Sequence, residues 1–343
     1  MRAMQFTGLA TLEDQPEPLA LCDLPRPEPG PGQVLIRVQG CGVCHTELDE
    51  IEGRTPPQQL PMTPGHQVVG EVTAEGPGCT RNLRGKRVGV AWIGHACGHC
   101  KWCREGRENL CPDFRATGRD LPGGFAEYMV IGEAFAHELP ESLPDIEAAP
   151  LLCAGAVGYR SLRLCHLRDG EALGLTGFGA SGHLVLQMAK ALYPASPLFV
   201  FARNASERKF AFSMGADWAG DTEEKPPQAV DAIIDTTPAW LPVVAALLAL
   251  TPGGRLVINA IRKEDGDRDA LEDLDYERHL WREKSIRTVA NVTRQDVREC
   301  LELAAKGAVE TTAEVLPLHK ANEALQRINR GGLRGAFVLR VSG

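Results

Sequence analysis

The sequence predicts an α/β protein with two domains, one mostly β and one built on a doubly wound parallel sheet. Three observations support this prediction. Short β-type runs punctuated by glycine and proline fill the first 154 residues. From residue 155 onward, short apolar strands alternate with helices, the pattern of a parallel sheet covered by helices on both faces. A glycine-rich turn links the first of these strands to the first helix.

The individual elements follow from local patterns, in chain order. In the first domain, a proline-rich extended segment precedes strands predicted at residues 33–39, 67–73 and 87–92. The second domain alternates strands at 172–176, 198–201, 232–235 and 255–259 with helices at 181–192, 206–214 and 243–250. In the tail, which we expect to return to the first domain, the patterns predict helices at 296–306 and 320–329 and strands at 314–317 and 336–341.

Length and composition limit the classes of function. The chain has 343 residues, enough for two domains, and its 43% apolar residues can fill two cores. A net charge of −8 argues against a nucleic acid or an anionic membrane as partner. The sequence shows no charged-then-apolar leader and no apolar run long enough for a bilayer. We therefore expect a cytoplasmic protein without a nucleic-acid or membrane partner.

Four cysteines have a spacing that is typical of a structural zinc site. Two, two and seven residues separate them, and they are Cys97, Cys100, Cys103 and Cys111. Their loop has little apolar material to bury, so a metal would have to hold it. An iron–sulfur cluster also takes four thiolates, but nothing else in the sequence indicates electron transfer. In a long cytoplasmic chain, eleven cysteines are more typical of metal ligands than of a disulfide framework.

Cys44, His66 and Cys153 offer three further ligands and would leave one tetrahedral position open for water or substrate. Spread over 110 residues, these three are no motif by themselves. Cys44 and His66 lie in glycine-flanked turns near strand ends, and Cys153 lies at the junction of the two domains. A metal there would face the cleft between domains, where ligand pockets are common. The alternative for His66 is a hydrogen-bonded core histidine.

A dinucleotide-binding fingerprint follows the strand at residues 172–176 and opens a helix. Its glycines allow a tight turn and a close approach of the backbone to a pyrophosphate. The loop consists of Gly177, Gly179, Ala180, Ser181 and Gly182, with Phe178 between the first two glycines. The alternative is a tight turn without a ligand.

The end of the next strand indicates which cofactor is preferred. An NAD site places a carboxylate there to bind the ribose 2′-hydroxyl, but this chain has Ala202 followed by Arg203. A missing carboxylate and a guanidinium fit a 2′-phosphate, so we expect NADP to be preferred and NAD to remain usable. Arg208 either assists or is an exposed helix residue.

Taken together, residues 42–46, 64–66 and 150–155, the four-cysteine loop and the glycine loop resemble the zinc-dependent alcohol dehydrogenases of the medium-chain dehydrogenase/reductase superfamily, over essentially the whole chain. The resemblance implies a GroES-like catalytic domain, residues 1–154 and 292–343, with a structural zinc lobe at about 95–112. It implies a Rossmann domain at residues 155–291. It also implies two zinc ions per chain and a homo-dimer or homo-tetramer.

The resemblance assigns roles to residues at matching positions. Cys44, His66 and Cys153 would hold the catalytic zinc, and Thr46 would bond the substrate oxygen and pass its proton. The remaining matches are His45 and Arg334 beside the cofactor pyrophosphate, Glu47 as an acid that steadies the zinc site, and Trp92 as a wall of the substrate pocket. The alternatives are packing roles for Thr46 and Trp92 and a solvated loop position for Arg334.

Two positions depart from the family pattern. Gln67 follows His66 where the family usually has glutamate, which removes a negative charge beside the zinc. We expect a stronger Lewis acid and slower ligand exchange, testable with Gln67→Glu. Asp49 stands where the proton relay often ends in a histidine. A carboxylate there could still pass a proton to water.

These observations predict a zinc-dependent alcohol dehydrogenase that acts as an aldehyde reductase. Hydride would move reversibly between NAD(P)(H) and a small or aromatic alcohol or aldehyde. One alternative keeps the fold and changes the substrate to a polyol, an amino alcohol, another secondary alcohol or an enone. An extra acid near the zinc would favour a polyol, and Gln67 weakens that case. Another alternative is a non-catalytic sensor that binds zinc and NADP.

Overall fold

The computed structural model describes residues 1–331 and 335–341. The chain divides into two compact units. Unit 1 comprises Met1–Ala156, Asn291–Ala305 and Thr311–Gly343, and unit 2 comprises Val157–Ala290 and Lys306–Glu310. Arg334, which the resemblance places beside the cofactor, lies outside the described residues.

Both units contain strands and helices, and their bounds are as follows in chain order. The strands are β1 (Arg2–Gln5), β2 (Ala20–Asp23), β3 (Gln33–Val43), β4 (Gln67–Glu75), β5 (Arg87–Val90), β6 (Ile93–His95), β7 (Arg115–Ala116), β8 (Tyr128–Gly132), β9 (His137–Glu138), β10 (Leu173–Thr176), β11 (Leu198–Phe201), β12 (Trp218–Gly220), β13 (Val230–Asp235), β14 (Leu250–Ile258), β15 (Ser285–Thr288), β16 (Ala313–Pro317) and β17 (Ala336–Arg340). The helices are α1 (His45–Ile51), α2 (Lys101–Arg104), α3 (Asp145–Pro150), α4 (Ala156–Cys165), α5 (Gly182–Leu192), α6 (Ala205–Ser213), α7 (Leu241–Ala249), α8 (Arg294–Ala305) and α9 (Ala321–Arg330).

Unit 1 is built around a seven-stranded sheet with the order β16-β17-β3-β4-β5-β9, in which β8 also pairs with β3. The eleven residues of β3 are rich in β-branched side chains, and most of them are buried. The first half of β3 pairs with β8 and its second half pairs antiparallel with β17. The closing strand of the chain therefore lies beside the residues that lead directly into Cys44.

Unit 2 contains a six-stranded, all-parallel sheet with the order β12-β11-β10-β13-β14-β15. All four residues of β10 and of β11 are buried, as expected for a parallel sheet whose faces are covered. The strand order reverses direction between β10 and β13, and such a point opens a crevice at the carboxyl ends of the strands. The α/β class predicted from the sequence is confirmed.

The structure contains more elements than the sequence predicted, among them β1, β2, β6–β9 and α2–α4. Strand β14 begins at Leu250, five residues before its predicted start, because Leu250 already pairs with Val230. Strands β12 and β15 were not predicted, since both are short and every residue of β15 is exposed. Helix α1 was not predicted either, because a cysteine is not among the usual residues that begin a helix. Among the described residues, no helix is long and apolar enough to cross a membrane.

Candidate active site and zinc centres

Helix α1 positions the first candidate ligand together with its neighbours. Cys44 precedes the helix, and its Sγ accepts a hydrogen bond from the backbone N–H of Thr46 at 3.3 Å. In return, Oε2 of Glu47 accepts a hydrogen bond from the backbone N–H of Cys44 at 2.8 Å. This is a capping box in which a thiol replaces the usual hydroxyl. The hydrogen bonds that cap the start of α1 therefore also hold the candidate ligand Cys44 in place.

His66 is fully buried directly before β4. Its Nε2 lies 3.6 Å from Sγ of Cys44. On the other side of the ring, Nδ1 lies 2.6 Å from Oε1 of Glu47, which forms an ion pair when the imidazole is protonated. The carboxylate thus holds the ring with Nε2 directed toward the thiol, an arrangement common around metal-binding histidines.

Cys153 lies on a π-helical turn, Leu151–Gly155, between α3 and α4. Such turns occur frequently at functional sites. The ligand atoms of Cys44, His66 and Cys153 all lie within 4.8 Å of one another. A tetrahedral zinc with sulfur at about 2.3 Å and nitrogen at about 2.0 Å separates those two atoms by about 3.5 Å, and the observed distance of 3.6 Å matches it. The three side chains therefore fit a zinc ion with one coordination position left.

A cation is needed to hold these groups in their ligating forms. Burial opposes the effect, but the Glu47 carboxylate and the Cys44 thiol raise the pKa of His66 well above its usual value. The hydrogen bond with Cys153, then burial and the Glu47 charge, raise the pKa of the Cys44 thiol well above its usual value. A metal must displace protons to bind here, so we expect zinc loading to weaken as the pH falls.

Trp92, the predicted pocket residue, is half-buried between β5 and β6. Its Nε1 donates a hydrogen bond to Oε1 of Glu50 at 3.2 Å, and its ring packs against Phe114 with centroids 5.4 Å apart. The guanidinium of Arg119 lies over the indole, 5.0 Å from the ring centroid. Sequence reasoning missed Glu50, Phe114 and Arg119. One available signal was that Glu50 follows Thr46 by four residues, which places both on one face of a helix.

Glu50 is completely buried. Burial, with a further contribution from the Glu47 carboxylate, raises the pKa of Glu50 to about 8, although His66 and the Trp92 hydrogen bond oppose this. A carboxyl group with that pKa can both donate and accept hydrogen bonds near neutral pH.

The other predicted residues of this site lie on or beside α1. His45 is exposed at the first position of the helix, and Thr46 is half-buried. Asp49 is buried, and its Oδ1 forms an ion pair with Nε of Arg54, a contact that the sequence did not predict. Gln67 is buried at the start of β4, opposite Gly42 in the register with β3, and its amide lies across that glycine.

The four-cysteine loop brings its sulfur atoms together at the spacing of a zinc cage. The ligand atoms of Cys97, Cys100, Cys103 and Cys111 lie within 4.8 Å of one another. Tetrahedral zinc thiolates at about 2.3 Å place their sulfur atoms about 3.8 Å apart. The observed separations are 3.5 Å from Cys100 to Cys103 and 3.9 Å from Cys97 to Cys103. Backbone N–H groups of His99 and Cys100 lower the pKa of Cys97 to about 6, which favours a thiolate.

The glycine loop adopts the predicted turn between β10 and α5. Gly177 has a φ of +77°, which L side chains rarely adopt. Apart from the adjacent residues in the chain, no atom of the described residues lies within 4 Å of the point where a Cβ on Gly179 would stand, so the missing side chain leaves space for a ligand. The side chain of Ser181 makes no cap hydrogen bond at the start of α5. The N–H groups of the first helical turn are therefore suited to an anionic phosphate.

Arg203 is exposed two residues after β11 ends, and within the described chain its guanidinium has no hydrogen-bond or ion-pair partner. Arg208, in contrast, donates to the carbonyls of Ala202 at 2.6 Å and Arg203 at 3.0 Å and pairs with Asp221 at 3.2 Å. Arg208 thus fixes the backbone of the turn and leaves the Arg203 side chain available.

Comparisons with known proteins agree with this geometry. A family model for the alcohol dehydrogenase GroES-like domain matches residues 30–141, and one for zinc-binding dehydrogenases matches residues 201–339. A Mycobacterium tuberculosis protein named "Probable alcohol dehydrogenase AdhA" is 43% identical over 318 residues, covering 91% of this chain and 90% of that protein. A thermostable alcohol dehydrogenase from Pyrobaculum aerophilum has a TM-score of 0.88 at 26% identity and covers 99% of each chain. A cinnamyl alcohol dehydrogenase from Sorghum bicolor has a TM-score of 0.82 at 28% identity, over 99% of this chain and 98% of that one.

The fold and the two ligand sets define a zinc-binding dehydrogenase with a nicotinamide-cofactor domain. The chain belongs to the zinc-dependent alcohol dehydrogenases of the medium-chain dehydrogenase/reductase superfamily. It is an oxidoreductase of alcohols and aldehydes, as the sequence predicted.

Proposed function

We propose that this enzyme is an NADP-preferring aldehyde reductase with two zinc ions per chain, one catalytic and one structural. The observation that carries the proposal is the set of Cys44, His66 and Cys153, whose ligand atoms lie within 4.8 Å, with Thr46 directly beside the first ligand. Bound zinc supplies a Lewis acid that polarises a carbonyl oxygen. The nicotinamide supplies or accepts the hydride.

Side chains of this enzyme bind the substrate and the cofactor, orient a zinc ligand and supply the proton. Thr46, whose hydroxyl can donate and accept, hydrogen-bonds the substrate oxygen and transfers its proton. Glu47 orients His66 through their ion pair. Asp49, paired with Arg54, carries the proton onward to solvent, and His45 contacts the cofactor. Trp92 limits the width of the substrate site and favours small or flat aromatic aldehydes, a preference that the likeness to a cinnamyl alcohol dehydrogenase supports.

The proposed cofactor site combines the glycine loop, the first turn of α5 and the exposed Arg203. Gly177, Gly179, Ala180, Ser181 and Gly182 surround the pyrophosphate. Arg203 binds the 2′-phosphate in place of the carboxylate that a ribose hydroxyl would need. Arg334 is included as a residue that contacts the pyrophosphate because of the family resemblance in the sequence, since it lies outside the described residues.

The experiment measures NADPH and NADH oxidation by the purified, zinc-loaded enzyme against a panel of aldehydes. We expect faster turnover with NADPH, abolished by a chelator. Arg203→Ala should lower kcat/KM for NADPH by about ten- to a hundredfold and leave NADH nearly unaffected. Lys209→Ala, which removes an exposed cation on the helix that follows Arg203, is the matched control. Turnover with NADH alone would contradict the cofactor preference, and no turnover with either cofactor would contradict the proposed reaction.

The assembly and location are also proposals. We propose a homo-dimer or homo-tetramer. Support comes from β15, which lies at the edge of the parallel sheet with every residue exposed, including Ile286 at 45%. Size-exclusion chromatography with light scattering would test this, and a monomer would contradict it. A cytoplasmic location fits the eleven free cysteines, because thiols persist in reducing compartments.

A further inference from the structure

Phe178 connects the glycine loop to helix α6. The dinucleotide fingerprint prescribes glycines on either side of this position but no residue type at it. Here the phenylalanine is buried, and its ring meets that of Phe210 on α6 edge to face, with centroids 5.5 Å apart and planes at 65°. The Phe178 ring also lies against Gly182, where a Cβ would stand 3.5 Å from it. Because aromatic pairs favour this geometry, a specific contact holds the loop against α6.

His183, in the first turn of α5, adds a second connection between the loop and α6. Its Nδ1 lies 2.9 Å from the carbonyl oxygen of Gly179, and because a carbonyl only accepts, Nδ1 carries the proton and donates it. Burial lowers the pKa of His183, although the hydrogen bond to Gly179 opposes this, so the ring is neutral at neutral pH. The imidazole lies 6.1 Å from the Phe210 ring. Phe210 therefore packs against both side chains that hold the glycine loop.

Helix α6 continues this connection to Arg203. Two residues before Phe210, the guanidinium of Arg208 donates hydrogen bonds to the carbonyls of Ala202 at 2.6 Å and Arg203 at 3.0 Å. The Arg203 side chain is exposed and has no partner among the described residues. The conformation of the turn that presents Arg203 therefore depends on where α6 lies. Since the aromatic contacts fix α6 against the glycine loop, a continuous series of contacts joins the loop to Arg203.

We propose that Phe178, His183 and Phe210, here called the aromatic cluster, are positioning residues that determine the preference for NADPH. They hold Arg203 at the distance from the glycine loop that separates the pyrophosphate from the 2′-phosphate in one cofactor molecule. This inference rests on the proposed function, which assigns the two phosphate groups to the loop and to Arg203. NADPH gains both contacts only when their separation is fixed, because a second contact made within a bound molecule depends on geometry. NADH lacks the 2′-phosphate, so loosening α6 should weaken NADPH binding more than NADH binding.

The experiment measures the Kd of NADPH and of NADH for the full-length, zinc-loaded enzyme by calorimetry. The quantity compared is the NADH value divided by the NADPH value, here called the selectivity ratio. Phe210→Ala should lower this ratio about tenfold, since it removes most of what a charged hydrogen bond to the 2′-phosphate contributes. Phe212→Ala, which removes an exposed phenylalanine from the same helix, is the matched control and should keep the wild-type ratio. Phe210→Tyr retains the ring and should keep the ratio as well.

Two further variants separate positioning from a general effect on stability. Phe210→Leu retains most of the apolar volume but has no ring edge for Phe178, so the selectivity ratio should still fall, by at least about threefold. In the double variant Arg203→Ala/Phe210→Ala, the ratio should equal that of Arg203→Ala, because the aromatic cluster acts only through Arg203. Equal weakening of both cofactors in Phe210→Ala would mean that the ring contributes to stability alone, and would overturn the proposal.

Failure of this inference and failure of the proposed function give different results, because binding is measured without substrate and requires no turnover. A wild-type selectivity ratio that falls in Arg203→Ala but persists in Phe210→Ala and Phe210→Leu would overturn the role of the aromatic cluster and leave the proposed cofactor preference standing. A wild-type ratio near one would overturn that preference, and this inference with it. A ratio in the double variant below that of Arg203→Ala would show that Phe210 acts on another contact, and would overturn the inference alone.

Discussion

Lys263 and Asp235 form a buried ion pair at the carboxyl ends of the strands that border the glycine loop. Asp235 also accepts hydrogen bonds from the hydroxyls of Thr176 at 2.6 Å and Thr237 at 2.7 Å. Lys263 further donates to the carbonyls of Thr237 at 2.8 Å and Ala239 at 2.9 Å. The pair therefore joins three chain segments at the reversal point of the parallel sheet.

Removing the lysine should destabilise the protein strongly, because it leaves the Asp235 charge buried and unpaired. We predict that Lys263→Met lowers the free energy of unfolding by about 3–5 kcal/mol in urea denaturation. NADPH affinity should fall too, because Thr237 lies against Gly177, 2.9 Å from the point where a Cβ would stand. Lys320→Met, which breaks the exposed pair with Glu323, should change stability by less than about 1 kcal/mol. Equal effects of the two variants would refute the prediction.

The ion pair between Glu47 and His66 should govern how tightly the catalytic metal is held. Glu47→Gln removes the charge that orients the imidazole, and we expect zinc to be held about ten- to a hundredfold more weakly. The measurement is competition for zinc with a chromophoric chelator, on protein whose total zinc has been determined beforehand. Glu71→Gln, on a partly exposed carboxylate paired with Arg37, is the control. The prediction fails if chelator competition is the same for Glu47→Gln and the wild type.

The two zinc sites should be lost independently. Cys103→Ser should reduce the zinc content from about two ions to about one and expose the loop at residues 95–112 to trypsin at Lys101 and Arg104, which are already on the surface. Cys153→Ser should also leave about one zinc, but with the loop still protected and turnover abolished. Cys22→Ser removes a thiol outside both sites and should retain both ions. Loss of both ions in either ligand variant would show that the sites are coupled.

His137 should make the fold sensitive to acid. Burial, with the charges of Arg298, Arg81 and Arg294, lowers the pKa of His137 to about 3. In the unfolded chain the imidazole of His137 has a pKa of about 6.5, so it takes up a proton at a higher pH than it does in the folded protein. The stability that neutral His137 contributes is therefore complete above about pH 6.5 and declines as the pH falls. Between pH 7 and pH 5 it should decline by about 2 kcal/mol.

The test compares unfolding free energies of the wild type and His137→Gln at both pH values. The variant should lose about 2 kcal/mol less than the wild type on acidification. His319→Gln, which replaces an exposed histidine, should follow the wild-type profile. Parallel profiles for all three proteins would show that His137 is not the group responsible.

Several parts of the fold and of the site could be predicted from the sequence because the patterns that indicate them are local. The spacing of the four cysteines, the strand–glycine–helix order and the alternation beyond residue 155 all lie within short stretches of chain. Cys44, His66 and Cys153 required the family resemblance, because their proximity depends on pairing between distant segments. Glu50 could not be identified as buried, since nothing near it shows that Trp92, forty-two residues away, would contact it. The pairing of Asp49 with Arg54 was likewise invisible, because a side-chain contact five residues apart depends on how the turn after α1 folds.

The sulfur atom of Cys44 has two roles. It belongs to the candidate zinc site, and it accepts a hydrogen bond from a backbone N–H at the start of α1. Metal occupancy and helix formation are thereby tied to one sulfur atom. Oxidation or alkylation of that atom should fray the helix that also carries Thr46, so a single modification would remove both the metal and the proton donor. The rate of amide hydrogen exchange over residues 45–51 would then measure the fraction of molecules in which Cys44 is oxidised, as a zinc assay does through the loss of metal.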